Sequence, residues 1–151
     1  KICVTRQNTA YRNIINESDI REELTKKGYL IINTNNLSII EQVNIFSNAD
    51  IVIGPTGSAL SNIVFCKKNT HVLEIIPKYD SKNEKILKSR YSDICELLNL
   101  KYSFLEADPV EPETIDNNLK KFINPLFLKK SNYYKNLLVK RKKFIEKIKE
   151  F

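Results

Sequence analysis

The sequence has no methionine, one histidine, three glycines and three cysteines in 151 residues. Each shortage excludes something. Cys3, Cys66 and Cys95 are too few and too scattered for a disulfide framework. With only His71 to join them, they fit no zinc-site spacing. Cys3 and Cys66 sit among apolar neighbours and read as small core residues, which suits a reducing, cytoplasmic setting. No run approaches the roughly 20 consecutive apolar residues of a membrane span. The front of the chain carries no signal-peptide pattern. A sequence that opens on Lys1 and lacks methionine reads as a piece of a longer protein.

What is present is a neutral domain with a basic end. The formal charge of +7 is uneven: residues 1–76 hold 8 basic and 7 acidic side chains, and residues 77–124 hold 8 and 9. Residues 125–151 hold 9 and 2. A uniformly basic surface, the footprint of a nucleic-acid binder, is therefore not expected.

Apolar patterning alternates between short strands and amphipathic helices. Ile2-Cys3-Val4-Thr5, Tyr29-Leu30-Ile31-Ile32, Asp50-Ile51-Val52-Ile53, His71 to Ile76 and Tyr102 to Leu105 read as five strands. A helix is expected from about Ser18 to Lys27, with Gly28 as its left-handed cap. Ser38 and Glu41 form a capping box for a helix carrying Ile39, Ile40, Val43 and Phe46. Further helices are expected after the Gly54–Ser58 turn through about Cys66 (burying Leu60, Ile63 and Val64), from Ser92 to Leu98, from Pro112 through Ile123, and from Ser131 to Phe151. Strand and helix in alternation, with unbroken apolar strands, mean a mainly parallel five-stranded sheet covered on both faces. The division expected is a domain over 1–125 and a basic amphipathic helix over 126–151, packed on that domain or on a missing amino-terminal lobe.

In such sheets ligands sit beyond the carboxyl ends of the strands. Gly54-Pro55-Thr56-Gly57-Ser58 lies at such an end and holds two of the three glycines. The turn can present backbone amides to a phosphate, or it can be an ordinary strand-to-helix turn; the spacing fits both. A phosphate-loop ATPase would need Gly-Lys-Ser/Thr where this turn has Gly57-Ser58-Ala59. A dinucleotide fold would need glycines after the first strand, where this chain has Thr5-Arg6-Gln7-Asn8. Arg6 and Arg12 bracket that loop and suit an anion through forked hydrogen bonds, or could pair with Glu17 or Asp19. Glu74, inside a buried strand, demands a partner: a ligand hydroxyl or a structural network. His71 opens its strand at the other end and reads as structural.

Together, Arg6, Arg12-Asn13-Ile14-Ile15-Asn16-Glu17, Ser38 to Gln42, Ala49 to Asn62 and Val72 to Pro77 resemble glycosyltransferase family 61, in order and over about residues 1–77. The resemblance implies a Rossmann-like domain similar to the carboxyl-terminal half of a GT-B enzyme, the lobe that holds the donor. It further implies inverting, metal-independent hexosyl or pentosyl transfer from a nucleotide-diphosphate sugar, such as a UDP-sugar, with no cofactor. Capsular or other cell-surface polysaccharide synthesis would be the setting, and a saccharide or lipid-linked saccharide the acceptor. On this reading Arg6, Arg12, Gly54, Thr56, Gly57 and Ser58 face the donor diphosphate, with Asn16, Glu17, Asn62 and Glu74 in support. The family commonly has a histidine where Thr56 stands; a hydroxyl can bond a phosphate but carries no charge and is no base near neutral pH. The catalytic base is expected outside this chain, which alone should be inactive. The competing class is a non-catalytic scaffold whose lysine-rich 129–149 stretch binds a partner or the inner face of a membrane.

Overall fold

The computed structural model describes residues 1–6, 12–78, 82–110 and 135–151, with only the backbone over 82–89. In chain order the elements are β1 (Ile2–Val4), α1 (Glu17–Lys26), β2 (Leu30–Ile32), α2 (Ile39–Ser47), β3 (Ile51–Pro55), a 3₁₀ segment (Ser58–Phe65), β4 (His71–Pro77), α3 (Lys82–Leu97), β5 (Lys101–Val110), β6 (Asn136–Leu138) and α4 (Arg141–Ile148). The sheet has six strands in the order β2-β1-β3-β4-β5-β6. The first four pairings across it are parallel, and β6 runs antiparallel to β5.

Strand alternation sends successive side chains to opposite faces, and each face has its own core. Cys3, Ile51, Ile53, Leu73 and Ile75 pack with Ile20 and Leu24 of α1 and with Phe144 and Ile148 of α4. Ile2, Val4, Val52 and Val72 pack with Phe46 of α2, Leu60 and Ile63 of the 3₁₀ segment, and Tyr91 and Cys95 of α3. Each large apolar side chain so buried stabilises the fold by about 1.5–3 kcal/mol. Local signals act where expected. Gly28 takes φ +76° behind α1, and Ser38 and Glu41 exchange both capping-box bonds at α2.

Four expectations need correction. The sheet has six strands, not five, because Asn136–Leu138 is a strand and not the start of a helix. Leu137 and Val139 are buried while Leu138 between them is exposed, which is a strand's alternation. The last helix is accordingly short, and its apolar residues Phe144 and Ile148 are buried in the core. After Gly57 the chain forms 3₁₀ rather than α turns, with Leu60 N–H bonded to Gly57 O at 2.9 Å and Cys66 N–H to Ile63 O at 3.0 Å. Ile39 and Ile40 are 75% and 74% exposed, and Val64 is also exposed: α2 packs chiefly on the 3₁₀ segment, so its first turn projects past the core. The helix expected from Pro112 lies outside the described residues.

Candidate functional site

The chain leaves β1 to form β2 on one side, then returns to form β3 on the other. That reversal opens a crevice at the carboxyl ends of β1 and β3, where open α/β sheets bind ligands. Here a cavity of about 380 Å³ is lined by Arg6, Arg12, Gly57, Ser58, Ser61, Arg90 and Tyr91. Three of these described residues are arginines.

Arg6 follows the end of β1, where Thr5 N–H bonds Ile32 O at 2.8 Å. Its guanidinium comes close to the Gly57 backbone: a Cβ on Gly57 would stand 1.9 Å from Arg6 Nη1. Gly57 itself is extended (φ 161°, ψ 171°), so closeness to Arg6, not backbone conformation, is what calls for glycine there. Gly54 does a different job. It lies inside β3, where a Cβ would come 3.0 Å from Leu60 Cδ1 and 3.2 Å from Val4 Cβ. It lets β1 and the 3₁₀ segment close on β3 and does not line the cavity.

Arg12 is buried, and its φ of +61° is left-handed. Such a conformation costs a non-glycine residue about 1–2 kcal/mol and persists only where the surroundings impose it. They do so from the carboxyl-terminal segment: Arg12 N–H bonds Lys135 O at 3.2 Å, Leu137 N–H bonds Asn13 O at 2.8 Å, and Ile15 N–H bonds Leu137 O at 3.0 Å. Asn16 adds a two-way clamp, donating to Val139 O at 2.9 Å and accepting from Val139 N–H at 3.1 Å. The guanidinium then donates from Nη1 to Thr56 O at 3.1 Å. Arg12 and Arg6 thus converge on one turn from two directions.

The turn is held open from behind. Thr56 is fully buried, with its N–H on Ile75 O at 2.8 Å, and lies beneath the cavity rather than in its wall. Tyr91, on α3, donates its hydroxyl to Gly57 O at 2.5 Å and stands 3.4 Å from Ser61 Oγ. Since a trans peptide points its C=O and N–H opposite ways, this turns the Ser58 N–H away from Tyr91. Neither the Gly57 nor the Ser58 amide donates a hydrogen bond among the described residues.

Glu74 lies under the same turn, fully buried, paired in register with Gly54. Tyr102 donates to its Oε2 at 2.7 Å. Burial pushes its carboxyl pKa up, against the opposing pull of Thr56, Tyr102, Arg90 and Arg12. The Thr56 hydroxyl neighbours this carboxyl, yet Thr56 Oγ1 and Glu74 Oε1 do not meet in a well-formed hydrogen bond. Glu74 therefore belongs to a network beneath the arginines and not to the cavity wall.

Of the residues singled out in sequence, Arg6, Arg12, Gly57 and Ser58 come together in the cavity. Asn16 and Asn62 are occupied structurally: Asn62 donates to Gln42 Oε1 at 2.8 Å and Ala59 O at 3.1 Å. Glu17 opens α1 and is not part of the wall. Ser61, Arg90 and Tyr91 were not singled out. His71 lies at the opposite, amino edge of the sheet, edge-on to Phe151 with ring centres 5.1 Å apart. Among the described residues no cluster of His, Cys, Asp or Glu could hold a metal ion, and no helix is long and apolar enough to cross a membrane.

Residues 1–73 match the family model of glycosyltransferase 61. The match supports that family, and with it glycosyltransferase activity, over the part of the chain that runs from β1 into β4. It takes in Arg6, Arg12 and the whole Gly54–Ser58 turn, and stops one residue before Glu74. None of the curated proteins compared with the chain is significantly similar to it.

Proposed function

We propose that the chain is the donor-binding part of a family 61 glycosyltransferase, taking a nucleotide-diphosphate sugar such as a UDP-sugar at the crevice between β1 and β3. The observation that carries this reading is the convergence of Arg6 and Arg12 on the Gly57–Ser58 turn, whose amides remain available to an anion. Departure of a nucleoside diphosphate leaves negative charge on the bridging oxygen, and preorganised guanidiniums and amides stabilise that charge without rearranging. No cofactor is invoked. Transfer would be inverting and metal-independent, in the manner of the carboxyl-terminal half of a GT-B enzyme, and would serve capsular or other cell-surface polysaccharide synthesis.

The acceptor, a saccharide or lipid-linked saccharide, and the base that deprotonates it would be met by another part of the protein. Among the described residues of the cavity wall none suits that role: the guanidiniums are cations, and Ser58, Ser61 and Tyr91 offer only hydroxyls. The reading places the protein in the cytoplasm; in the described part of the 129–149 region, exposed lysines such as Lys142 and Lys143 are the groups that would meet a membrane surface. Calorimetric titration with UDP tests it. Saturable binding by the chain, lost in R6A and R12A, supports the reading; a chain that binds no nucleoside diphosphate ends it. The same chain should transfer no sugar to simple acceptors.

A further inference from the structure

Among the described residues three other than glycine have a positive φ, namely Arg12, Asn69 and Asn99, and of these only Arg12 lines the cavity. Asparagine visits the left-handed region readily; arginine stays there only where it is held. A residue's φ and ψ are the rotations between the peptide plane before it and the plane after it. Both planes at Arg12 are tied to the residues that open β6. Arg12 N–H, in the first plane, bonds Lys135 O at 3.2 Å. Asn13 N–H, in the second, bonds the side-chain Oδ1 of Asn136 at 3.1 Å. Asn136 is itself set in place by its pairing with Val110 of β5. A return of Arg12 from φ +61° to the right-handed value of about −63° would turn its Cα–Cβ bond by roughly 120° about N–Cα. That rotation would carry the guanidinium away from Thr56 O, to which it now donates.

We infer that Asn136 is a positioning residue of the anion site: its side chain holds Arg12 in the left-handed conformation that aims the guanidinium at the Gly54–Ser58 turn. The inference rests on the site proposed above and adds to it a residue outside the stretch that matches family 61. Asn136 is half-buried and is not among the residues that line the cavity, so it acts through Arg12. Asn16 ties the same two stretches together through Val139. Its bonds lie farther along the chain and leave the two planes at Arg12 untouched, which makes Asn16 the control.

The test is calorimetric titration of the full chain with UDP at one ionic strength. N136A removes one hydrogen bond from a half-buried position and should still fold. Its UDP affinity should fall by about three- to tenfold, the reach of one lost hydrogen bond. N136D keeps an acceptor oxygen where the Asn13 N–H points and should bind within about threefold of wild type. The decisive variant is R12A/N136A. If Asn136 acts through Arg12, the pair should lose no more affinity than R12A alone, an outcome that a general loosening of the fold does not produce. N136A at wild-type affinity, a loss that adds to that of R12A, or an equal loss in N136D or N16A overturns the inference while leaving the anion site standing. A wild-type chain that does not bind UDP removes the site and this inference with it.

Discussion

Replacing Gly57 with alanine separates the site from the fold. A Cβ at this position would lie 1.9 Å from Arg6 Nη1, 2.9 Å from Cζ and 3.5 Å from Cδ. Carbon atoms do not approach nitrogen so closely, so the Arg6 guanidinium must swing more than an ångström out of place. Nothing else must move, because Gly57 has extended dihedrals that alanine shares and the only atoms crowded belong to the flexible end of Arg6. Displacing one charge-assisted contact costs about 1.5–3 kcal/mol of binding, or roughly one to two decades of UDP affinity at about 1.4 kcal/mol per decade. Stability without ligand should change by less than about 1 kcal/mol, as ordinary substitutions away from the core do. Calorimetric titration and thermal melting of G57A, R6A and the double variant complete the assay. If alanine acts by displacing Arg6, the double variant should lose no more affinity than R6A alone, a fully non-additive pair. Additive losses, unchanged affinity in G57A, or a fold that collapses would refute the placement of Arg6 on the turn.

The left-handed backbone of Arg12 should make R12G more stable than R12A by about 1 kcal/mol, with both losing donor affinity; equal melting temperatures would deny the strain. Because burial raises the Glu74 carboxyl pKa above its ordinary 4.5, the folded protein keeps that proton to higher pH than the unfolded chain. The stability so contributed is full below about pH 4.5 and is lost as pH rises through the raised value. Melting of E74Q should therefore vary less than wild type as pH is raised from 4 to 8, and parallel curves would contradict the assignment. N16A removes both clamp bonds to Val139 and should cost about 1–3 kcal/mol of stability. UDP affinity of the folded N16A protein should stay within about threefold, and a selective loss of affinity would return Asn16 to the site.

How much of the fold and site was legible in sequence depended on how local each signal is. The Gly28 cap and the Ser38–Glu41 box are written within one turn of chain, and β3 and β4 are unbroken apolar runs. Arg6 and Arg12 could be found because they flank the end of a strand. Gly54 and Gly57 looked alike because spacing does not say where β3 stops; the structure puts one in the sheet and the other against Arg6. The strand β6 was hidden because three residues carry too little periodicity, and it exists through pairing with Asp108–Val110 and with the segment after Arg12. Arg90 and Tyr91 were hidden for a similar reason. Only the packing of α3 beside the 3₁₀ segment brings them to the cavity. Ile39 and Ile40 have helical spacing, yet periodicity cannot say that their helix overhangs its support.

The most direct test of the central claim is a crystal structure of the chain with UDP bound. The diphosphate should lie in the crevice between β1 and β3, within hydrogen-bond distance of the Arg6 and Arg12 guanidiniums and of the Gly57 and Ser58 amides. A diphosphate seated elsewhere would contradict it, for example among Lys1, Lys67 and Lys68 at the amino edge of the sheet.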